Sequence, residues 1–532
     1  MLHPRRRATL IAGLAIGLAA ATVPALASPQ QAQQAGSTVT AVVVVRPGVH
    51  LPLQVAGGHV LHVFSHVGSE LVRAPMASLT ALATDARVAG VTPDRSGRVA
   101  GYVGKNDKKD ISPSGKGVFA SEHLGGGAGN DKTGQGVNVA MLDTGLTDTE
   151  ALNRASGRVT DGVDVSHLAD KNGKAVTSGT FTDGYGHGTF LASLIAGGKV
   201  KGAGGHAIGV APAARIVVVK VANDQGETTL SEVLAGMDWV ASHAQGPDGQ
   251  QMIQVLNVAL AVDRPTAPSY GADPLTAAVE DVRAAGVLVV AAAGNDPTEV
   301  GDPGMDPQAL TIGAADVSNG KPSVADFSGS GVVDGVQKPD VVASGVHVLG
   351  MVAPDSEIAQ DNPQGWQDNG LFRGSGTSEA TAIASGVAAA YFSDHPGATT
   401  AQAKAALRDS AGGDPRDPRA GAGLMQMVSN GAAKKASTNT GEAGFDAKSW
   451  KANSWQPGFD WVSLLASSWS ASSWSASSWS ASSWSASSWS ASSWSASSWS
   501  ASSWSASSWS ASSWSGATWS ASSWSDYEWG DG

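Results

Sequence analysis

The stretch "GVNVAMLDTGL" (residues 136–146) is apolar at nearly every position from Val137 and stops abruptly at Asp143-Thr144-Gly145. A strand with one wet face alternates apolar and polar residues. A run that is apolar throughout is a parallel strand covered on both faces. Four more such runs follow: "ARIVVVKV" (214–221), "IQVLNVAL" (253–260), "GVLVVAAA" (286–293) and "ALTIGAA" (309–315). Helices lie between them. Thr229 and Glu232 form a capping box ahead of Leu230, Val233, Leu234, Met237 and Val240. Asp273 caps a second helix, with Pro274 at its first position and Gly286 past its end. The alternation predicts an α/β domain over residues 134–428, built on a doubly wound, mostly parallel sheet. In such sheets reacting groups gather at the carboxyl ends of the strands.

The flanks are of other kinds. Arg5, Arg6 and Arg7 precede the apolar run Leu10–Ala21 and small residues at Ala25 and Ala27, the pattern of an export signal over residues 1–27. The run is shorter than the roughly 20 residues of a membrane span, and the export route stays open. Residues 28–100 read as a small α+β segment. "TVTAVVVV" and "VLHVF" are strands, "MASLTALATD" a helix with Leu79 and Leu82 on its apolar face, and "VAGVTPD" a return strand. Residues 101–133 and 429–468 read as linkers. From Trp469 to Trp529 a tryptophan falls every five residues, taking 13 of the chain's 18. Neither a helix nor a flat strand keeps a five-residue period on one face. The tail over 469–532 therefore reads as a low-complexity extension, a glycan-stacking surface for the cell wall, or a self-association element. A coil with four five-residue sides is narrow for tryptophan.

A formal net charge of −12 argues against nucleic acid as a partner. The chain has no cysteine, so an exported protein of this kind holds together by packing.

In "RGSGTSEATAIASGVAAAYF" (373–392), Ser378 heads a segment of small residues, the signature of a helix buried through a core. Free N–H groups and the positive dipole end suit an oxyanion there, although a serine at a helix start is ordinarily a cap. In "DGYGHGTFLASLIAGG" (183–198), His187 opens another apolar helix. Taken singly, Asp143 is a cap and His187 a core histidine. Asp, His and Ser in that order, each at a strand-to-helix junction, point instead to nucleophilic catalysis.

"LDTG", "GHGT" and "GTS", separated by 44 (187 − 143) and 191 (378 − 187) residues, resemble the motifs of the subtilases, the subtilisin-like serine peptidases. So do "AAGN" (292–295), "IGVAPAARI" (208–216), "ADFSGSG" (325–331) and "KPDVVASG" (338–345). The resemblance implies a triad of Asp143, His187 and Ser378, with Asn295 and the Ser378 N–H forming the oxyanion hole. It implies substrate binding at Asn257, Ala259, Leu260, Ala261 and Gly294, on protein or peptide substrates. It further implies that residues 28–100 are an inhibitory, ferredoxin-like propeptide, making the chain a secreted, self-processed zymogen. The chemistry requires no cofactor; calcium is common in the family's loops, but no contiguous ligand pattern is visible here. His59, His62 and His66 lack acidic or cysteine companions and read as surface histidines rather than metal ligands. Three positions depart from the pattern: Phe190 in "GHGTF", Glu379 in place of the methionine after the serine, and "NVALA" in the cleft strand. Glu379 either tunes His187 or faces Arg373 and solvent. The competing readings are a non-catalytic peptide-binding scaffold anchored by the tail, and an esterase using the same serine.

Overall fold

The computed structural model describes residues 38–46, 48–99, 117–125, 127–168, 181–263, 273–318, 320–333, 335–412, 417–428, 468–471 and 474–526. The signal-like residues 1–27 lie outside these. Among the described residues no helix is long and apolar enough to cross a membrane.

The N-terminal segment comprises β1 (Thr38–Val45), β2 (His59–Phe64), β3 (Ser69–Pro75), α1 (Met76–Leu82), β4 (Val88–Pro93) and β5 (Ser96–Val99). Four of the strands make an antiparallel sheet in the order β2-β3-β1-β4. A ferredoxin-like fold has two helices, and α1 is the one helix among the described residues of this segment. Pro52 and the Gly57-Gly58 pair sit in the β1–β2 connection, where they oppose a second. Val43 and Val45 face Leu79, Leu82 and Val91 in a core belonging to the segment itself. Val42 and Val44, with Phe64 and Leu71, instead join a core shared with the large domain. Both faces of β1 are thus covered, which is why its sequence is apolar without alternation.

The large domain holds β7 (Asn138–Asp143), β8 (Val159–Asp164), β9 (Arg215–Lys220), β11 (Val255–Val258), β13 (Leu288–Ala292), β14 (Leu310–Asp316), β15 (Ser323–Val324) and β18 (Val341–Ser344) in one sheet. Its order is β15-β14-β13-β11-β7-β9-β8, with β18 beside β14; every pair is parallel except β14–β15. Side chains of β7 go alternately to two cores. Val139 and Met141 pack on the side of α2 (His187–Ala196) and α6 (Thr377–Asp394). Ala140 and Leu142 pack on the side of α3 (Leu230–His243) and α4 (Pro274–Ala284). The capping box of Thr229 and Glu232 and the Asp273 cap are both formed. Helix α6 is buried at every position from Thr377 to Ala390.

Five smaller strands form two further sheets: β6 (Val118–Phe119) beside β19 (Val348–Gly350), which also pairs with β20 (Phe372–Gly374), and a hairpin of β16 (Gly331–Val333) and β17 (Val336–Lys338). Val118 pairs with Val348, and Ala120 and Leu124 enter the main core, so the packed domain reaches back before residue 134. Three apolar residues in a Gly- and Lys-rich stretch were too few to mark that. In the tail, β21 (Ser468–Ala471) pairs in parallel with β22 (Trp474–Asp526), Ser468 opposite Ser488. That offset of 20 (488 − 468) equals four five-residue repeats.

The "KPD" motif is structural. Lys338 Nζ is fully buried and bonds to Asp340 Oδ2 at 2.8 Å and to the Ala309 carbonyl at 3.0 Å. Lys404 and Arg408 lie 3.6 and 3.7 Å from Asp340 Oδ1. Burial alone would raise the Asp340 carboxyl, but these three cations outweigh it and hold it at about 2. A depressed carboxylate contributes stability above its unfolded pKa and loses it as pH falls toward the folded one. In a Ser378→Ala background, Asp340→Asn should therefore cost about 3–5 kcal/mol at pH 7 by stranding Lys338. The deficit should shrink between about pH 4 and pH 2, read from denaturant midpoints.

Candidate active site

Asp143 ends β7 and is buried; its Oδ1 lies 2.7 Å from His187 Nδ1 and accepts from the Thr144 N–H at 2.8 Å. His187 is the first residue of α2, and its cap, Gly186, has φ +105°, which disfavours a side chain. A Cβ on Gly188 would stand 2.2 Å from the Gly145 carbonyl. The glycines around His187 thus let the helix start abut the end of β7. Burial alone would lower the His187 pKa, but the Asp143 carboxylate, with a contribution from Glu379, outweighs it and raises it.

Asp183 was not among the residues expected at the site. Its carboxylate, fully buried, accepts from the Gly186 N–H (2.6 Å), Thr144 Oγ1 (2.7 Å), and the Thr189 N–H and Oγ1 (both 2.7 Å). It clamps "LDTG" to "GHGT". An acidic residue just ahead of a glycine-rich helix start is the signal that could have found it.

Ser378 is the second residue of α6, whose cap is Gly376, so it is not a capping serine. Its Oγ donates to the Ala259 carbonyl at 3.4 Å, and His187 Nε2 makes no hydrogen bond. Asn295 Oδ1 accepts from the Thr377 N–H and Oγ1, both at 2.9 Å. Those two donors fix which end of the amide is oxygen, turning the donor end away from Thr377. Gly294, before it, has φ +92° and turns the chain.

The cleft strand needs one correction. Asn257 lies in β11, is fully buried, and accepts from Ser385 Oγ of α6 at 2.9 Å, so it faces the core and not a peptide. The strand breaks at Ala259 and resumes as β12 (Leu260–Val262). There β5 lies antiparallel between β10 (Glu227–Thr229) and β12, with Val99 opposite Leu260, Arg98 opposite Ala261 and Gly97 opposite Val262. Gly97 is tightly enclosed: a Cβ on it would stand 2.9 Å from the Ala261 carbonyl.

Glu379 is buried, and the space a Gly374 Cβ would take lies 2.5 Å from Glu379 Oε1 and 2.8 Å from Phe190. Two of the three positions that depart from the family pattern, Phe190 and Glu379, therefore meet at one point, away from solvent. Burial pushes the Glu379 carboxyl up to about 7, against the pull of His187. His59 and His62 lie on β2, and His66 follows it, its N–H donating to Asp238. Among the described residues no group of three His, Cys, Asp or Glu is placed to hold a metal ion.

An Asp–His pair at a strand end and a serine in the first turn of a buried helix, on one doubly wound sheet, define a serine-hydrolase arrangement. The subtilase family pattern matches residues 134–446, more than half of the chain, and the chain belongs to that family. Serine protease AprX of Bacillus subtilis (strain 168) is 32% identical over 290 residues, spanning 53% of this chain and 62% of that relative. The match thus covers less than two thirds of that relative's length. Subtilisin BL of Lederbergia lenta is 31% identical over 280 residues, spanning 52% of this chain and 84% of it. The structure of fervidolysin from Fervidobacterium pennivorans, a keratinolytic enzyme related to subtilisin, shares the fold. Its TM-score is 0.54 at 21% identity, covering 74% of this chain and 60% of that one.

Ionised Glu379 favours the imidazolium of His187, which is the inactive form of a general base. Glu379→Gln should therefore move the acid limb of the kcat/KM profile to lower pH. A limb that stays in place would show that the two groups are not coupled.

Proposed function

We propose that this chain is an exported serine endopeptidase made as a zymogen, with residues 28–100 its inhibitory propeptide. The observation that carries the reading is the seating of Ser96–Val99 between Glu227–Thr229 and Leu260–Val262, next to Ala259, whose carbonyl accepts from Ser378 Oγ. A peptide enters such a cleft by adding a strand to an open edge. In that role Ser378 Oγ attacks the scissile carbonyl as His187 Nε2 takes its proton, and Asp143 holds the imidazole and steadies its charge. The Asn295 amide and the Ser378 N–H stabilise the oxyanion. His187 then passes the proton to the leaving nitrogen as the C–N bond breaks, and water releases the acyl group by the same path. The chain supplies nucleophile, base and donors, so no cofactor enters the chemistry. Substrates are proteins or peptides, and the export signal and tail suit action outside the cell, with cell-wall glycan a partner for the tail.

The register supports a first cut close to the end of this strand. Val99 stands opposite Leu260, and the carbonyl of Ala259, one residue before Leu260, accepts from Ser378 Oγ. On this reading the first cut follows Ala100, and the processed chain should begin at Gly101. A fluorophosphonate should label Ser378 in that protein. Ser378→Ala should keep its prosegment, take no label and lose about 10⁶-fold in kcat. A processed, folded protein that takes no label would favour the peptide-binding scaffold.

A further inference from the structure

The strand in the cleft follows an arginine whose charge is buried. Arg95 Nη1 donates to the Asp263 carbonyl at 2.8 Å, and Nη2 donates to Asp273 Oδ2 at 2.5 Å and lies 3.5 Å from Asp302 Oδ2. The side chains of Arg95, Asp273 and Asp302 are 6%, 2% and 1% exposed. The arginine belongs to the N-terminal segment, and every acceptor belongs to the large domain. The acceptors are fixed to the cleft: Asp263 follows β12, Asp273 caps α4, and the Asp302 carbonyl accepts from the Val262 N–H at 2.9 Å. The peptide backbone is held on both sides of the arginine as well. Leu230 N–H donates to the Arg95 carbonyl, and Asp263 N–H to that of Ser96, both at 2.8 Å.

Two carboxylates buried this deeply cost several kcal/mol each unless a cation with matching donors stands between them. A guanidinium supplies a planar fork of donors that suits such a set. Along the strand, Arg95, Gly97 and Val99 are buried while Ser96 and Arg98 are exposed, so alternate residues are read by the cleft. The Gly97 position has no room for a side chain, which fixes the arginine's place relative to it.

We propose that Asp273, Asp302 and the Asp263 carbonyl form a guanidinium-binding subsite of the peptide cleft. Arg95 fills it in the uncut chain, and an arginine two residues ahead of a glycine fills it in a substrate. This rests on the peptidase reading above. The subsite lies five residues before Ala100, so it acts on substrate choice and not on the reacting bond.

The processed protein should be assayed with a quenched peptide carrying the chain's own residues 94–103 and with its twin bearing citrulline at the Arg95 position. Citrulline keeps the shape and loses the charge. The expected result is a kcat/KM lower by roughly ten-fold or more for the citrulline peptide, the scale of one lost charge-assisted contact. Asp302→Asn and Asp273→Asn should each bring the two peptides closer together. Asparagine caps a helix about as well as aspartate, so the second variant keeps α4 capped. Equal rates for the two peptides in the wild-type protein would overturn the subsite, as would a ratio unchanged in both variants. A protein that cuts neither peptide nor casein and takes no fluorophosphonate would overturn the peptidase reading itself, and the subsite with it.

Discussion

The Asp183 carboxylate holds the reacting end of this fold together. It accepts from Thr144 on one side and from Gly186 and Thr189 on the other, so the end of one strand and the start of one helix share a single buried acceptor. Burial pushes its carboxyl up, and the four donors oppose that rise. Asp143 and His187 sit on the two pieces so joined, and their 2.7 Å contact depends on the junction being rigid. The surrounding glycines serve the same end: Gly188 has no room for a Cβ beneath the Gly145 carbonyl, and Gly186 adopts a left-handed conformation. Preorganised donors and short, fixed distances are what a triad needs, because little reorganisation is then left for the reaction.

The large domain was legible because its strands are buried on both faces. Val139 and Met141 go to one core, and Ala140 and Leu142 to the other, so hydrophobicity alone marked the strand. The Asp143–His187 pair was legible through the order of its motifs and its glycine neighbours. Asn257 was misplaced because a strand that carries both core and cleft residues changes role at a break. The break at Ala259 leaves no trace in a run of uniformly apolar residues. Asp183 stayed hidden because its partners are backbone N–H groups and threonines, which any sequence supplies. The tail posed the opposite difficulty. Its five-residue period was plain, but neither a helix nor a flat strand keeps such a period on one face. The observed parallel pairing at four repeats requires the chain to turn back on itself.

The N-terminal segment meets the large domain through two kinds of contact. Val42, Val44, Phe64 and Leu71 supply an apolar surface against the helices of the large domain, with the His66 and Val67 N–H groups donating to Asp238 beside it. Burial of this kind gives attraction without register. Register comes from the strand pairing at Ser96–Val99, the closed position at Gly97 and the ion pairs of Arg95. Adhesion and aim are therefore carried by different residues. A substrate with the right backbone and alternate side chains can reproduce the second without the first.

That separation bears on the proposed zymogen, whose segment would have to leave once the chain is cut. Asp94 Oδ1 and Oδ2 accept from the Ser231 N–H and Oγ, both at 2.8 Å, at the start of the helix that Glu232 helps to cap. Burial, against the Ser231 donors, raises the Asp94 carboxyl to about 6. Burial first and Asp94 second raise Glu232 to about 8. Acids with raised pKa values in the docked state hold protons that they lose in water, so docking weakens as pH rises. The window runs from about pH 4, where an exposed carboxyl ionises, to about 8. The Glu232 share that persists after release does not count, but the Asp94 share does. A cut segment should thus elute with the large domain at pH 5 and apart from it at pH 9, and Asp94→Asn should flatten that difference. Co-elution independent of pH would show instead that the apolar face and Arg95 control release.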